Sequence, residues 1–301
     1  MTVSPRSRIG IVVTDAYSAE DPDHDTPLLL AALRERAVDA DAVVWHAHTE
    51  DLADYDLLVI RSPWDYPERP AEFHAWLDRA EAATRVLNSP ATVRWNLDKQ
   101  YLRALEDTGI RIVPTTWCRT ITEVHEALSA LGHRRIVVKP AVSAGARDTG
   151  LFDAADPRAV ALADRIVAAG GVAMIQPEIP ELSEGAEKAL YAINGHHTHT
   201  IAKGALLEVG GGLIGGVYVE NPQLVDATDE EHAFAEAVLR AVTAVTDGAM
   251  PLYARVDVVD SAEFGVALLE VELVEPALNL HIATHATAVV ADAIVAELGR
   301  G

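Results

Sequence analysis

The stretch "PLYARVDVVDSAEFGVALLEVELVEP", residues 251–276, decides the reading of this chain. Two runs of strict alternation flank a short polar connection, the pattern of two paired strands with one apolar face. In the first run Leu252, Ala254, Val256 and Val258 face one way, and Tyr253, Arg255 and Asp257 the other. In the second, Leu269, Val271 and Leu273 oppose Glu270 and Glu272. A near-symmetric turn through "DSAEFG" brings Asp257 close to Glu270 and Arg255 close to Glu272 or Glu270, depending on a two-residue choice of register. Three carboxylates and one guanidinium then share a face. Like charges opposed across a ladder are destabilising, and at ~4 Å they repel by roughly 4 kcal/mol at an effective dielectric near 20. A solvated face with Arg255 paired to one glutamate is the plain alternative. A divalent cation is the sharper one, and an all-oxygen donor set selects Mg²⁺ or Mn²⁺ over zinc. Magnesium held by few carboxylates takes its other ligands from water and phosphate, so the hairpin asks for a nucleotide.

A second stretch answers it. In "RIVVKPAVSAGARDTG" (135–150) an apolar strand ends in Lys139, followed by a loop of small residues with Gly145 and Gly150. Burying an unpaired ammonium is costly. Beside a loop whose backbone N–H groups can approach oxygen atoms, however, a strand-end lysine makes a phosphate clamp. The kinase reading fails because the chain has neither an HRD nor a DFG sequence.

Outward from these two stretches the chain alternates strand and helix. "RIGIVV" (8–13), "AVVW" (42–45) and "DLLVIRS" (56–62) read as strands. Thr26 and Pro27 offer an N-cap and first-turn proline to "LLLAALRERAV", and "PAEFHAWLDRAEAA" (70–83) reads as a second helix. This βαβ order implies a parallel sheet. "IVVTDAYSAEDP" after the first strand has no Gly-x-Gly-x-x-Gly, and no Walker A sequence occurs. A helix is expected to begin near Asn96, with Leu97, Tyr101, Leu102 and Leu105 on one face, Lys99 in its first turn and Gly109 as its C-cap residue. "VAMIQ" (172–176) is a strand. Asn194-Gly195 between "ALYAI" and "HHTHTIAKGA" marks a type I′ hairpin. His197 and His199 share a strand face there, either as a metal pair or as ordinary alternation. "GGGLIGG" (210–216) reads as a lid or a linker, and Thr228 with Glu231 as a capping box.

Composition narrows the partners. Half of the 301 residues are apolar, and 24 basic against 46 acidic residues give a net charge of −22. Nucleic acid or an anionic membrane needs basic patches, so neither is expected as partner. The one cysteine, Cys118, forms no internal disulfide or cysteine zinc cluster and reads as a core residue. "IGIVV" is too short for a signal segment, so a cytoplasmic location is expected.

The succession "NSPATVRWNLDKQYLRALEDTGIRIVPT", "IVVKPAVSAGARDTG", "MIQPEIPELSEGAEKALYAING" and "RVDVV…LLEVELVEP" resembles the ATP-grasp superfamily over nearly the whole chain. The resemblance implies an α/β fold with α+β lobes: an N-terminal parallel-sheet domain over 1–90, a small ATP-binding lobe over 91–178 and a large lobe with the metal site over 179–301. It implies Lys99 and Lys139 on phosphate, and Ser143 through Gly150, with Ser143 and Gly145, as the loop over the triphosphate. Gln176, Pro177, Glu178 and Ile179 would meet adenine, and Glu187 the ribose. Asp257, Glu270 and Glu272 would hold Mg²⁺, as two ions, with Mn²⁺ as a possible substitute. Arg255 and Lys139 would be catalytic. Glu272 stands where the family usually has asparagine, and Ala189 where glutathione-synthetase-like members have arginine. "RSPWDYPERPAEF", "KPAVSAGARDTG" and "EVELVEPALNL" look like a group of stand-alone ligases, among them one that closes a ring within a single small amino acid. The implied reaction converts a carboxylate to an acylphosphate with ATP. Cyclisation is the first expectation, joining to a separate amine the second and nucleotide binding without catalysis the third. An amino-acid-like substrate would touch Arg147 and Asn279, and a homo-oligomer is compatible with this reading.

Overall fold

The computed structural model describes residues 7–17, 22–47, 51–131, 134–143, 145–216, 221–246 and 248–299. Part of "TDAYSAEDP" and Ala144 of the small-residue loop lie outside them.

Strands β1 (Arg8–Val13), β2 (Asp39–Val44), β3 (Leu57–Ser62) and β4 (Val86–Leu87) form a parallel sheet in the order β2-β1-β3-β4. β1 and β3 are apolar runs because helices cover both faces. Helix α1 (Asp25–Glu35) packs Leu29 and Leu33 into one core, and α2 (Pro70–Ala83) packs Phe73, Trp76 and Leu77 into another. α1 starts earlier than Thr26: Asp23 is the capping acceptor, its Oδ1 receiving the amides of Asp25 (2.8 Å) and Thr26 (2.9 Å).

The helix expected to begin near Asn96 begins at Tyr101 instead: α3 (Pro90–Asn96) ends at Asn96, α4 (Tyr101–Asp107) follows, and Lys99 lies in the break between them rather than in a first turn. Tertiary bonds set the break. The Asn96 side chain donates to Val271 O and accepts from Leu273 N, both at 2.8 Å, and the Tyr101 hydroxyl bonds both backbone groups of Val271. Asp98 accepts the Gln100 amide at 2.9 Å, a local turn that competes with helix. Gly109, at φ +96°, closes α4 as expected.

Strands β5 (Thr116–Cys118), β6 (Arg135–Pro140), β7 (Gly150–Asp153) and β8 (Ala173–Pro177) form an antiparallel sheet in the order β5-β8-β6-β7. Helices α5 (Ile121–Leu131) and α6 (Pro157–Ala168) bury its apolar face together with Cys118, whose thiol burial pushes up to about 11. After the short α7 (Pro180–Ser183) come β9 (Glu187–Ile193), β10 (His196–Lys203), β11 (Gln223–Val225), β12 (Tyr253–Ser261) and β13 (Gly265–Glu272), ordered β11-β10-β9-β12-β13. Helix α8 (Asp229–Val245), with the Thr228–Glu231 capping box, covers one face of this sheet together with α4. Helix α9 (Thr284–Leu298) packs between the apolar end of the other face and α1. Among the described residues no helix is long and apolar enough to cross a membrane.

Two loop readings change. A bulge between His197 and His199 leaves His197 exposed and His199 buried, so they do not share a face. His199 stacks on Tyr191 instead, with ring centroids 4.2 Å apart. "GGGLIGG" is seated on the edge of β7: Leu151 N donates to Gly211 O (2.9 Å) and Gly210 N to Leu151 O (2.7 Å). This approach requires Gly150, where an added Cβ would lie 3.1 Å from Gly211 O and 2.4 Å from the Phe152 ring.

Candidate active site

The β12–β13 register pairs Asp257 with Glu270 and Arg255 with Glu272. The alternation of β13 breaks at a bulge, so Leu268 takes the core position and Leu269 turns to the cavity instead of sharing a face with Val271 and Leu273. The cavity, about 520 Å³, lies between the second and third sheets and reaches the first, a size usual for small-molecule sites.

It changes character along β13. Around Leu269 the lining is apolar, with Val137, Leu151, Ile179, Leu182 and Leu207. The middle is densely charged. Lys99 lies 3.2 Å from Glu270, and its Nζ also donates to Ser143 O at 3.1 Å. Arg255 donates to both oxygens of Asp257 (2.8–3.1 Å) and to Glu272 at 2.5 Å. Asp257, Glu270 and Glu272 can bring one oxygen each within 4.8 Å of the others, the one such cluster among the described residues. The far end is made by Trp64 and Tyr66 of the first sheet's loops together with Glu275 and Ala277.

Charge neutralisation is uneven. Burial works against Lys99's charge, but Glu270 and Glu272 outweigh it and hold its pKa above the ordinary lysine range. Burial lowers that of Lys139, with Glu270 opposing and Lys99 adding to the effect. Among the described residues Lys139 has no hydrogen bond and no anion within ion-pair distance. Burial resists ionisation of Glu270, yet Lys99, Lys139, Lys203 and Arg255 hold its carboxyl far below the usual range.

Most residues singled out in the sequence meet here: Lys99, Lys139, Ser143, Gly145, Arg147, Gln176, Glu178, Ile179, Glu187, Arg255, Glu270 and Glu272 line the cavity. Asp257 sits just behind the lining, fully buried. Pro177 is buried within β8, and Asn279 lies off the cavity, donating to the Tyr191 hydroxyl at 3.0 Å. The side chain of Gln176 is engaged with Thr115 (2.8 Å) and that of Glu178 with Arg135 (3.0 Å). Arg147 reaches Glu68 at 2.6 Å, joining the small-residue loop to the first domain.

Lys203 went unread in the sequence. Only 3% exposed, it bridges Asp257 (2.8 Å) and Glu187 (2.9 Å). Counting back from the Asn-Gly turn nearly finds it, and the one-residue bulge in β10 supplies the rest, setting Lys203 opposite Glu187.

A cleft between two sheets, with a strand-end lysine on one side and an acidic hairpin on the other, is the ATP-grasp fold. The D-alanine–D-alanine ligase from Bacillus anthracis, solved with ATP, shares the fold: TM-score 0.68, 15% identity, 98% of both chains covered. Residues 9–88 match the family model described as D-cycloserine synthetase DcsG, N-terminal domain. The cycloserine biosynthesis protein DcsG of Streptomyces lavendulae is 34% identical over 277 residues, covering 89% of this chain and 92% of that protein. The crystal structure of D-cycloserine synthetase DcsG superposes with a TM-score of 0.90 at 31% identity, covering 97% of this chain and all of that one. The chain belongs to the DcsG family.

Proposed function

We propose that this ligase cyclises O-ureido-D-serine to D-cycloserine, activating the substrate carboxylate as an acylphosphate at the expense of ATP. Two facts support the reading: the relationship to DcsG over 89% of the chain, and the meeting around one cavity of a lysine that has no partner among the described residues with three clustered carboxylates, two of them on the lining. The second carries the chemistry.

Adenine fits the apolar end, against Ile179 and Leu269 and the backbone of Gln176, Pro177 and Glu178, with Glu187 for the ribose hydroxyls. Lys99, Lys139 and the Ser143–Gly145 loop hold the phosphates. Three hard-oxygen donors within 4.8 Å fit Mg²⁺, with Mn²⁺ acceptable to the same set, and a pair of ions accords with three carboxylates. Such ions would neutralise phosphate charge when bound. The substrate carboxylate attacks the γ-phosphorus, a like-charge approach that Lys99, Lys139 and Arg255 screen. The small-residue loop keeps water from the acylphosphate. The ureido nitrogen attached to oxygen then displaces phosphate and closes the five-membered ring. Loss of the carbamoyl group as CO₂ and ammonia balances the reaction, which consumes one ATP and one water. Because nucleophile and acyl group belong to one molecule, the protein needs chiefly to fold it, and well-oriented internal attack has effective molarities of about 10⁵ M or more.

Coupled ADP release with mass spectrometry tests the reading. ADP should form with O-ureido-D-serine alone, gain nothing from added amines and accompany a cyclic product. Turnover that requires a second, amine-bearing substrate would replace cyclisation by joining of two molecules.

A further inference from the structure

Nearly every charged side chain lining the cavity has its counter-charge within ion-pair distance. Lys99 meets Glu270, Lys203 meets Glu187, Arg255 meets Glu272, Arg147 meets Glu68 and Glu178 meets Arg135. Among the described residues two have none. Lys139 is one, and phosphate accounts for it. Glu275 is the other.

Glu275 stands at the end of the cavity away from the apolar pocket, half-buried, with Tyr66, which also lines the cavity, near enough to act on its carboxylate. Lys99 and Arg255 act on it from beyond ion-pair distance, and it lies outside the Asp257–Glu270–Glu272 cluster. Its main chain is fastened from the N-terminal domain. Trp64 Nε1 donates to Glu275 O at 2.9 Å, Arg61 donates to Pro276 O, and Asp25 receives the amides of Leu278, Asn279 (3.2 Å) and Leu280 (2.7 Å). Tyr253 Oη holds Val274 O at 2.9 Å. A carboxylate on so fixed a segment, open to a cavity and lacking a cation, is built to receive one from the ligand.

We propose that Glu275, oriented by Tyr66, anchors the α-ammonium of the amino-acid substrate and so determines specificity at the acceptor end of the cavity. The proposal rests on the reading of the chain as a carboxylate-activating ligase. An amino acid whose carboxylate faces the γ-phosphate presents one cation, its ammonium. The lysines and Arg255 attract the carboxylate and repel that ammonium, so the ammonium must turn towards an anion not already neutralised. Burial without a counter-ion pushes the Glu275 carboxyl up to about 7, and an ammonium beside it restores the ionised form.

The experiment compares O-ureido-D-serine with 3-(ureidooxy)propanoate, the same molecule without its amino group. Wild-type kcat/KM should fall by about 100-fold or more on removal of the ammonium, since a polar group built for a partner is left without it. In Glu275→Gln the same removal should cost under about fivefold, while KM for ATP and the thermal shift with Mg·ATP stay near wild type. An unchanged penalty in that variant overturns the anchor. Tyr66→Phe, the second variant, should raise KM for the amino substrate about three- to tenfold and leave the des-amino compound untouched. Equal changes for both compounds again overturn it. Wild-type enzyme inert towards O-ureido-D-serine removes the functional reading and leaves this one to a binding assay. With Mg·ADP present, wild type but not Glu275→Gln must then be stabilised more by alanine than by propionate, and failure to separate the two disposes of the anchor.

Discussion

The two walls of the cavity are built on opposite principles. The wall from Glu270 to Leu280 is fixed at nearly every residue by buried groups from distant elements: Asn96, Tyr101, Tyr253, Arg61, Trp64 and Asp25. The wall from Ser143 to Gly150 has left-handed backbone at Gly145, Ala146 and Asp148, and its links to other elements through side chains are, among the described residues, exposed ion pairs, Arg147 with Glu68 and Asp148 with Arg165. Buried, satisfied networks hold one geometry, whereas exposed pairs of this kind are worth little. The lesson is a division of labour. Charge is positioned on the fixed wall, and under the proposed function the loose one regulates access.

The largest expected effect joins the walls at Lys139, where the fixed strand enters the loose loop. Lys139→Ala removes a cation that, among the described residues, has no anion within ion-pair distance, so the fold should survive with a nearly unchanged melting temperature. Turnover should drop by about 10²–10³-fold, the usual cost of one missing electrostatic partner. Near-wild-type activity in the folded variant would take Lys139 off the phosphates.

Next comes the fixed wall itself. Asn96→Ala leaves the buried Leu273 N without its partner and takes one of two from Val271 O, which keeps the Tyr101 hydroxyl. At about 1–3 kcal/mol for the one orphaned amide the loss is about 1–3 kcal/mol, read by chemical denaturation. A cost below ~1 kcal/mol would mean that the edge of β13 is held by something else.

Sequence reasoning succeeded and failed along the same division. The acidic hairpin and Lys139 were legible because local alternation fixes which side chains share a face, and because an ammonium at a strand end is anomalous by itself. The break at Lys99 was not, because Asn96 and Tyr101 terminate helix by bonding a strand about 175 residues onward in sequence, which no local pattern encodes. Bulges were equally silent: one turned Leu269 into the cavity and another parted His197 from His199. Lys203 and Glu275 were missed for a third reason. Their importance lies in which partners they have or lack, and that is a property of the assembled sheets.

His199 offers a pH test of the fixed wall. Its Nε2 meets Leu278 O at 2.9 Å and its Nδ1 meets the Thr198 hydroxyl at 2.9 Å. Burial depresses its pKa from the ordinary histidine value near 6.5 to about 4. A depressed pKa means that the unfolded chain binds the proton first. Its contribution is therefore whole above pH 6.5 and is lost as pH falls towards 4, by up to about 3 kcal/mol. His199→Gln should flatten that part of the stability–pH curve relative to wild type. Parallel curves for the two proteins would show that His199 is not what titrates.

The smallest effect belongs to the loose wall and separates two roles for Arg147. As a latch, Arg147 does no more than meet Glu68, and an exposed pair of this kind is worth little and is weakened by salt. Glu68→Gln should then raise KM for ATP by at most about fivefold, leave the melting temperature unchanged and lose even that effect at high ionic strength. Arg147→Ala should match it if latching is the whole of its task. A substrate contact predicts otherwise. Arg147 lines the cavity, so removal of its side chain would raise KM for the amino acid while Glu68→Gln would not. Measuring both KM values in both variants at low and high salt decides the matter. Identical salt-sensitive profiles make the loose wall a gate alone, and a salt-resistant loss confined to Arg147→Ala gives it a share in binding and narrows the contrast between the walls.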